Sequence, residues 1–469
     1  MKSNLFYTIF KYTIYFLLYF ITTTIILIAV LGNYADYNRF IAFRMIIITF
    51  AVILLVKYFI YMLISPWYDV IVAFNAKKFR YKRYNPKVSV LIPAWNEEVG
   101  ILTTIRSILR SSYKNTEIVV VNDGSTDNSD KLIRDFIKDY YHKLNLKEAK
   151  RRARTKENAE SLVKKSRIEI IYKYKSNAGK GHSLNTAIDL SSGDILMSID
   201  ADCVVGRHTV KNFVHHFRNP QVMAAVGNVK IANTDTILGT IQYLEFLFSF
   251  YFKKADSIMN VVYIIGGAAG AFRREVFEKL GKYNTTNITE DIDLSVRIQN
   301  AGMKIVYASK AIVWTEGAVR IGDLLKQRLR WKRGRFETFS DFKHMFFSVN
   351  KKHNKILTLI IFPLAIFGEI HLFLELFFLT FLYVYSFLTG DFSSFVSGII
   401  FVSAMFLIKM IFDEYKNIKL RFILLAPIGW LLFYVSTFVE TVALLKSLVS
   451  YIRKQEVKWQ RWERTGISK

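Results

Sequence analysis

Apolar residues in this chain concentrate at its two ends, while the middle alternates short apolar runs with amphipathic stretches. Tyr12–Leu31 is a predominantly apolar run of about 20 residues, the length needed to cross a bilayer. Ile41–Ile64 is a second such run, in which Arg44 and Lys57 snorkel or face protein. The length of the first run and the closely following second span argue against a cleaved signal peptide. Toward the other end, Ile356–Leu388 is longer than one span needs and contains Pro363, Glu369, His371 and Glu375. It predicts an interfacial or broken helix before crossing. Phe395–Phe412 and Phe422–Leu448 read as further spans, joined by the charged connector Asp413–Arg421, with Pro427 near the start of the second.

Between these ends the period changes. Lys87–Ile92 reads as a first strand that stops at Pro93, and Gly100–Ser111 has helical spacing. Glu117–Val121 is a second strand, stopping at Asn122-Asp-Gly-Ser-Thr-Asp127, and Asp127–Asp139 a further helix. Ile168–Lys173 resumes strand character ahead of Asn177-Ala-Gly-Lys-Gly-His-Ser183, and Ile195–Ile199 is a buried strand. Strand–helix–strand order predicts a mostly parallel α/β sheet, whose ligands sit beyond the carboxyl ends of the strands. Pro93–Glu98, Asn122–Asp127 and Asp200–Asp202 all fall at such ends. Leu238–Phe252 predicts an interfacial helix or a buried core helix. The small residues of Tyr263–Arg274 allow a bulky ligand to approach backbone. A helix opens at Thr289-Glu-Asp291, with Thr289 as its N-cap.

The organisation that follows has two membrane helices in 1–65, a basic aromatic linker in 66–86 and a cytosolic α/β domain with interfacial helices in 87–345. A membrane region in 346–450 and a basic cytosolic tail in 451–469 complete it. Charge sets the orientation. The net charge is +27 over 469 residues, concentrated in the middle, while the connector Gly32–Phe40 carries little positive charge. The positive-inside rule then puts the middle in the cytoplasm of a multi-pass protein of the plasma (cytoplasmic) membrane. Three carboxyl-terminal crossings would leave the basic tail outside, so either Ile356–Leu388 or Phe422–Leu448 is a hairpin or lies in the interface. Cys203, the single cysteine, permits no internal disulfide and fits a reducing compartment. No nucleic-acid-binding signature accompanies the positive charge, and the spans tether the chain, which argues against nucleic acid as a partner. The Lys/Arg-rich segment 141–174 reads as a solvated excursion, with anionic lipid as its alternative partner.

The candidate chemistry centres on Asp200 and Asp202. Positions i and i+2 of a strand point the same way, so two carboxylates converging past its end favour a hard divalent ion that also grips phosphate. Lys180 lies in a glycine-containing loop that lacks the spacing of a Walker phosphate loop. Lys326–Arg335 holds six Lys or Arg residues and no acid, with Gln327, Arg330 and Trp331 on one helical face. That face suits a diphosphate clamp beside an aromatic platform for a sugar; a basic helix on anionic lipid is the plainer reading.

Asn122-Asp-Gly-Ser-Thr-Asp127, Asp200-Ala-Asp202, Thr289-Glu-Asp291 and Gln327-Arg-Leu-Arg-Trp331, in that order, resemble the processive family 2 glycosyltransferases of GT-A fold. These are the membrane synthases of cellulose, chitin, hyaluronan and poly-N-acetylglucosamine. The likeness covers roughly Lys87–Phe339 and both membrane ends. From Gly266 to Glu337 the chain looks most like poly-β-1,6-N-acetylglucosamine synthases. The resemblance implies a GT-A domain, Rossmann-like with a mostly parallel sheet, inserted between N- and C-terminal transmembrane helices. It implies that Asp123 contacts the uracil of a UDP-sugar, in a pocket shaped by Pro93, Asn96 and Glu97 with Lys180 nearby. Asp200 would approach the nucleotide, and Asp202 would bind Mg²⁺ or Mn²⁺. Asp291, within Thr289-Glu290-Asp291, would be the general base. Gln327 and Arg330 would hold the diphosphate and Trp331 the acceptor, with Gly266 and Gly267 lining the sugar. The expected activity is inverting polymerisation of UDP-N-acetylglucosamine into an extruded polysaccharide, with an accessory membrane subunit as a possible partner. Transfer to a membrane lipid acceptor is the alternative, and a non-catalytic scaffold is the rival outside enzymes.

Overall fold

A computed structural model describes residues 53, 56–78, 84–152, 168–390, 392–414, 420–453, 455 and 466–467. The span expected at Tyr12–Leu31, most of Ile41–Ile64, much of the basic excursion and most of the tail lie outside the described residues. The central domain is one eight-stranded sheet of β1 Val88–Ala94, β2 Thr116–Asp123, β3 Glu169–Lys175, β4 Ile195–Ser198, β5 Val204–Val205, β6 Val222–Ile231, β7 Gly270–Arg273 and β8 Lys304–Thr315. Their order across the sheet is β3-β2-β1-β4-β7-β6-β8-β5. β1, β2, β3 and β4 pair in parallel, and β6 runs parallel to β8. β7 is antiparallel to both β4 and β6, which returns β6 and β8 to the direction of β1. Two half-sheets thus send their carboxyl ends to one edge.

The strands read as continuous apolar runs because helices cover both faces. Every residue of β2 and β6 is buried. The covering helices include α1 Tyr68–Lys78, α2 Ile101–Leu109, α3 Ser129–Arg152, α4 Lys180–Leu190, α5 Thr209–His216, α6 Ile237–Met259, α7 Arg274–Leu280, α8 Glu290–Asn300 and α9 Ile321–Asp341. β1 does not stop before Pro93 but continues to Ala94, with Pro93 opposite Val121. The pairing of β1 with β4 has already ended at Leu91–Ser198, so the missing N–H of Pro93 falls where the strand has a neighbour on one side only. The linker proves partly helical, since α1 occupies Tyr68–Lys78.

Three described helices are long and apolar enough to cross a membrane, at Val56–Asn75, Leu357–Phe377 and Tyr434–Ile452. The second begins with a π-helical turn, Leu357–Ile361, and runs into α10 Phe362–Thr389 with Pro363 in its first turn, where no N–H is needed. α11 Ser393–Ile411 follows. Pro427 divides the next apolar stretch into α12 Leu420–Leu425 and α13 Gly429–Ile452, joined by a 3₁₀ turn at Ala426–Ile428. α6 packs as a core helix on two sides. Phe250 belongs to the sheet core, while Leu244 and Leu247 pack with Phe406, Met410 and Phe422 of α11 and α12.

The amino edge of the sheet is clasped by Glu117. Its buried carboxylate accepts hydrogen bonds from Ser89 Oγ at 2.5 Å and Ser192 N–H at 2.6 Å, and it pairs with Lys87. Burial opposes its charge, but the Lys87 and serine donors together outweigh that and hold its pKa below the usual carboxylate range. A depressed carboxylate stabilises the fold above its unfolded pKa, and that stabilisation is lost as pH falls through the folded value. Glu117→Ala, which removes the acceptor of the Ser89 hydroxyl and the Ser192 N–H, is expected to cost about 1–3 kcal/mol and to flatten acid sensitivity in this range; Glu117→Gln should cost less. Thermal unfolding of both variants between about pH 3 and 7 checks this.

Candidate active site

Asp123 ends β2 at the carboxyl edge. Its carboxylate accepts from the backbone N–H of Ala178 at 3.1 Å and of Gly179 at 2.8 Å, and from Lys175 Nζ at 2.5 Å. One side chain therefore fixes the loop that leads into α4 and its first residue, Lys180. The loop after β1 is laced to the loop after β2. Asn96 Oδ1 accepts from Thr126 N–H at 2.7 Å, Asn96 N–H donates to Ser125 Oγ at 2.9 Å, and Glu97 N–H donates to Ser129 Oγ at 2.9 Å. Asn96 takes a left-handed conformation, φ 54°, that asparagine tolerates better than most residues. Pro93, Asn96, Glu97 and Asp123 thus share one wall of the crevice.

Lys180 joins that wall to the opposite one. Its ammonium lies 2.7 Å from Asp200 Oδ1 and 3.3 Å from Glu290 Oε1. Burial opposes its charge, but Asp200, Glu290 and Asp291 outweigh burial and raise its pKa, so it stays an ammonium. For Glu290, burial dominates and moves the carboxyl upward, against the attraction of Lys180. Beside Glu290, Asp291 Oδ2 accepts the Gly267 N–H at 2.7 Å and Oδ1 accepts the Ile292 N–H at 2.9 Å. A Cβ at Gly267 would stand 2.5 Å from Lys180 Nζ, displacing the ammonium from its pairs with Asp200 and Glu290, and at ordinary contact distance, 3.5 and 3.6 Å, from Asp291 Oδ2 and Asp200 Oδ1. Gly266 has no such neighbour and serves the turn that Ala269 N–H closes on its carbonyl.

Two local expectations are corrected. β4 ends at Ser198, and Asp200–Cys203 is a turn closed by Cys203 N–H on Asp200 O at 3.2 Å. Strand alternation therefore does not align the two carboxylates. Asp200 turns to Lys180, while Asp202 is buried beside the start of α2, in a small cleft with Glu97, Glu316 and Gly466. Both still act on the buried Cys203 thiol, which burial first, then Asp202 and Asp200, push well up. Thr289 occupies the N-cap position of α8 without capping it; its N–H and hydroxyl both donate to Asn287 Oδ1, at 2.9 and 3.2 Å.

α9 carries the basic motif, and its charges divide. Arg328, Lys332 and Arg335 turn to acids of neighbouring helices: Arg328 pairs with Glu245 of α6 at 2.5 Å and Glu440 of α13 at 3.0 Å. Lys332 lies 2.6 Å from Glu369 of α10 and 2.9 Å from Glu440, and Arg335 lies 2.8 Å from Glu369. Arg330 turns toward the crevice, where its charge acts on Lys180 and Glu290. Its buried Nε and the buried Oε1 of Gln327 have no hydrogen-bond partner among the described residues. Polar atoms so placed cost free energy until a ligand satisfies them. Trp331 is half-buried, with the Arg328 guanidinium 4.3 Å from its ring centroid.

Sequence reasoning missed Lys175, Glu316, Gly466 and Gly334. Gly466 N–H donates to Glu316 Oε2 at 3.2 Å, which brings the tail to the cleft beside Asp202. No motif spacing announces a contact between residues 150 positions apart. Gly334 sits where a Cβ would lie 2.0 Å from Thr289 Oγ1 and 2.4 Å from Thr289 Cγ2. α9 thus rests directly on the Thr289-Glu290-Asp291 turn. Gly334→Ala should destabilise the protein by about 1–3 kcal/mol through overpacking, and adding Thr289→Ala, which removes Oγ1 and Cγ2 but keeps the Cβ at 2.7 Å, should restore part of the loss in thermal unfolding.

Comparison with known proteins bears on this arrangement. The family described as glycosyltransferase like family 2 matches residues 86–334. A poly-beta-1,6-N-acetyl-D-glucosamine synthase of Staphylococcus epidermidis is 30% identical over 252 residues, 53% of this chain and 55% of that one. The synthase of that name from Staphylococcus aureus strain COL is 29% identical over 255 residues, with the same shares. The chain thus spans about half the length of the curated relatives it matches. Among solved structures, a mannosyltransferase from Pyrobaculum calidifontis, in complex with GDP-Man and Mn²⁺, aligns with TM-score 0.49 and 18% identity, covering 87% of this chain and all of that one. S. aureus TarS 1-349 in complex with UDP-GlcNAc aligns at 0.37 and 15%, covering 80% and 94%. The family match spans more than half of the chain and takes in both walls of the crevice, the aspartate turn and Gln327–Trp331, and so the chain belongs to glycosyltransferase family 2.

Proposed function

We propose that the protein is a processive, inverting β-glycosyltransferase that extends a polysaccharide from UDP-N-acetylglucosamine. The observation that carries this reading is Lys180, whose contacts with Asp200 and Glu290 bring the nucleotide motifs and the acceptor-base motif to one crevice. Asp123 with Pro93, Asn96 and Glu97 forms the base and ribose side, and Gln327 and Arg330 offer unsatisfied polar atoms for a diphosphate. N-acetylglucosamine is favoured by the names of the relatives at about 30% identity.

In the proposed reaction Asp291 takes the proton of an acceptor hydroxyl. The freed oxygen attacks the anomeric carbon opposite UDP, the carbon–oxygen bond to the diphosphate breaks, and UDP leaves. Each cycle yields a polymer one sugar longer, UDP and a proton. Two backbone N–H donors orient Asp291 before substrate arrives, so no reorganisation is needed at the moment of transfer. Lys180 and Arg330 place positive charge where the leaving diphosphate gains negative charge.

Asp202, in the cleft it shares with Glu97 and Glu316 while Asp200 turns to Lys180, would be the residue to hold Mg²⁺ or Mn²⁺, and such an ion would neutralise diphosphate charge. Among the described residues no group of three His, Cys, Asp or Glu side chains forms a metal site. The remaining ligands would therefore be phosphate oxygens and water, the usual arrangement for Mg²⁺.

Export of the polymer through the protein's own helices, from a cytoplasmic catalytic domain in a multi-pass membrane protein, is supported by a polar seam between α10 and α13. Glu375 accepts from Thr437 Oγ1 at 3.4 Å, and Tyr383 and Tyr434 meet at 3.2 Å. Trp331, an aromatic platform next to Arg330 in α9, would stack the acceptor sugar.

Three measurements test the reading. Full-length protein in detergent with Mn²⁺ should release UDP from UDP-N-acetylglucosamine in preference to UDP-glucose and UDP-glucuronate, with a long product on a sizing gel; a short lipid-linked product would replace polymerisation by lipid glycosylation. Asp291→Asn is expected to lower kcat by about 10²–10⁴ with little change in donor KM, whereas Asp202→Asn should worsen both. Near-normal polymer from Asp291→Asn would remove it as the base.

A further inference from the structure

A second cavity lies at the opposite edge of the sheet from the crevice, at the amino ends of β6 and β8. It has a volume of about 120 Å³, room for several waters or a phosphate group, and its wall includes Tyr68 and Ile71 of α1, His215, Arg218, Ser257 and Lys304. Among the described residues, none that lines it is acidic. Two of them carry permanent positive charge, and the Arg218 Nε is buried with no hydrogen-bond partner among the described residues. A buried guanidinium N–H without an acceptor is costly unless an anion or water completes it.

The cationic pair is held in place rather than merely exposed. The Arg273 guanidinium donates to the carbonyls of Phe217 at 2.6 Å, Asn219 at 3.1 Å and Val222 at 2.7 Å, which pins the turn that carries Arg218. Lys304 is fixed in β8 opposite Val222. His216 is pushed down to about 4 by burial first and then by His215 and Lys310, so near neutrality it adds no charge and the cationic character of the cavity rests on Arg218 and Lys304.

The remaining wall is a membrane-type helix. Val56–Asn75 is apolar enough to span, and Trp67, Val70, Ile71 and Phe74 are exposed on it. An apolar outer face next to a cationic, acid-free cavity matches a ligand with a charged head and an acyl tail.

We propose that this cavity binds a phosphate group through Arg218 and Lys304, presented from the bilayer as the headgroup of an anionic phospholipid. The site is separate from the transfer crevice, and its test reads binding rather than catalysis. Full-length protein in detergent is titrated with dioleoyl phosphatidic acid, with dioleoyl phosphatidylcholine and with inorganic phosphate, and occupancy is read by native mass spectrometry. Phosphatidic acid should bind at least about tenfold more tightly than phosphatidylcholine, and the Arg218→Gln/Lys304→Gln double variant should lose about tenfold, the scale of one charge-assisted hydrogen bond. Lys211→Gln, exposed on the neighbouring helix α5, should bind as wild type. Inorganic phosphate that binds alone and is lost in the double variant would retain the phosphate site and make its source soluble. Equal binding of the two lipids, no binding of any probe, or undiminished binding in a double variant with an unchanged melting temperature would overturn the proposal. Should the double variant misfold, Lys304→Gln alone carries the test: the side chain is only partly buried, and undiminished phosphatidic acid binding there overturns the proposal as well.

Discussion

Lys180 is the point on which the crevice depends. Three acids, Asp200, Glu290 and Asp291, come from the turn after β4 and the start of α8, and without a cation between them their mutual repulsion would have to be relieved by protonation or by separation. The ammonium removes that conflict and sets the spacing between the two walls. Its own position is secured upstream, because Asp123 holds the backbone of Ala178 and Gly179 immediately before it. A residue at the end of β2 therefore governs the geometry at the start of α8 through one loop and one side chain.

The second constraint is α9, which faces two ways. Arg328, Lys332 and Arg335 meet Glu245, Glu369 and Glu440, acids that would be expensive to keep charged among apolar helices if they stood alone. The same helix lays Gly334 on Thr289 and turns Arg330 toward Lys180 and Glu290. The crevice edge and the apolar helices that carry Glu245, Glu369 and Glu440 are consequently one packed structure. The acids also decide which of the six basic residues in the motif remain available to a ligand: those with partners in α6, α10 and α13 are committed, and Arg330 is turned to the crevice.

The strands and their loops are legible in sequence because a parallel sheet buried on both faces demands continuous apolar runs that end in polar turns. The burial of Ile118, Val119, Val120 and Val121 is visible as such a run. Only the structure explains the Glu117 at its head, whose partners Ser89 and Ser192 lie on other segments. Three of the four motifs likewise mark the crevice by sitting at a strand or helix end, after β2, after β4 and at the start of α8, while Gln327–Trp331 lies in the middle of α9 and is marked by its charge alone. Local backbone is where sequence reasoning misjudges. Strand geometry would align Asp200 with Asp202, but the strand has already ended at Ser198, and a turn follows different directional rules. Thr289 has the residue type of a cap, but Asn287 takes its hydroxyl hydrogen bond.

Contacts between distant segments are illegible for a different reason. Gly334 and Thr289, or Glu316 and Gly466, carry no periodicity and no charge signature of their own pairing; they are consequences of how helices and loops come to rest. The same holds for the basic residues of α9. Six positive charges in ten residues admit a lipid-binding surface as well as a phosphate clamp, and composition alone does not separate these. The distinction lies in the acids of α6, α10 and α13, which take up three of the charges and leave the face of Gln327 and Arg330 turned inward. Specificity at this site is therefore set as much by where positive charge is neutralised as by where it is left standing.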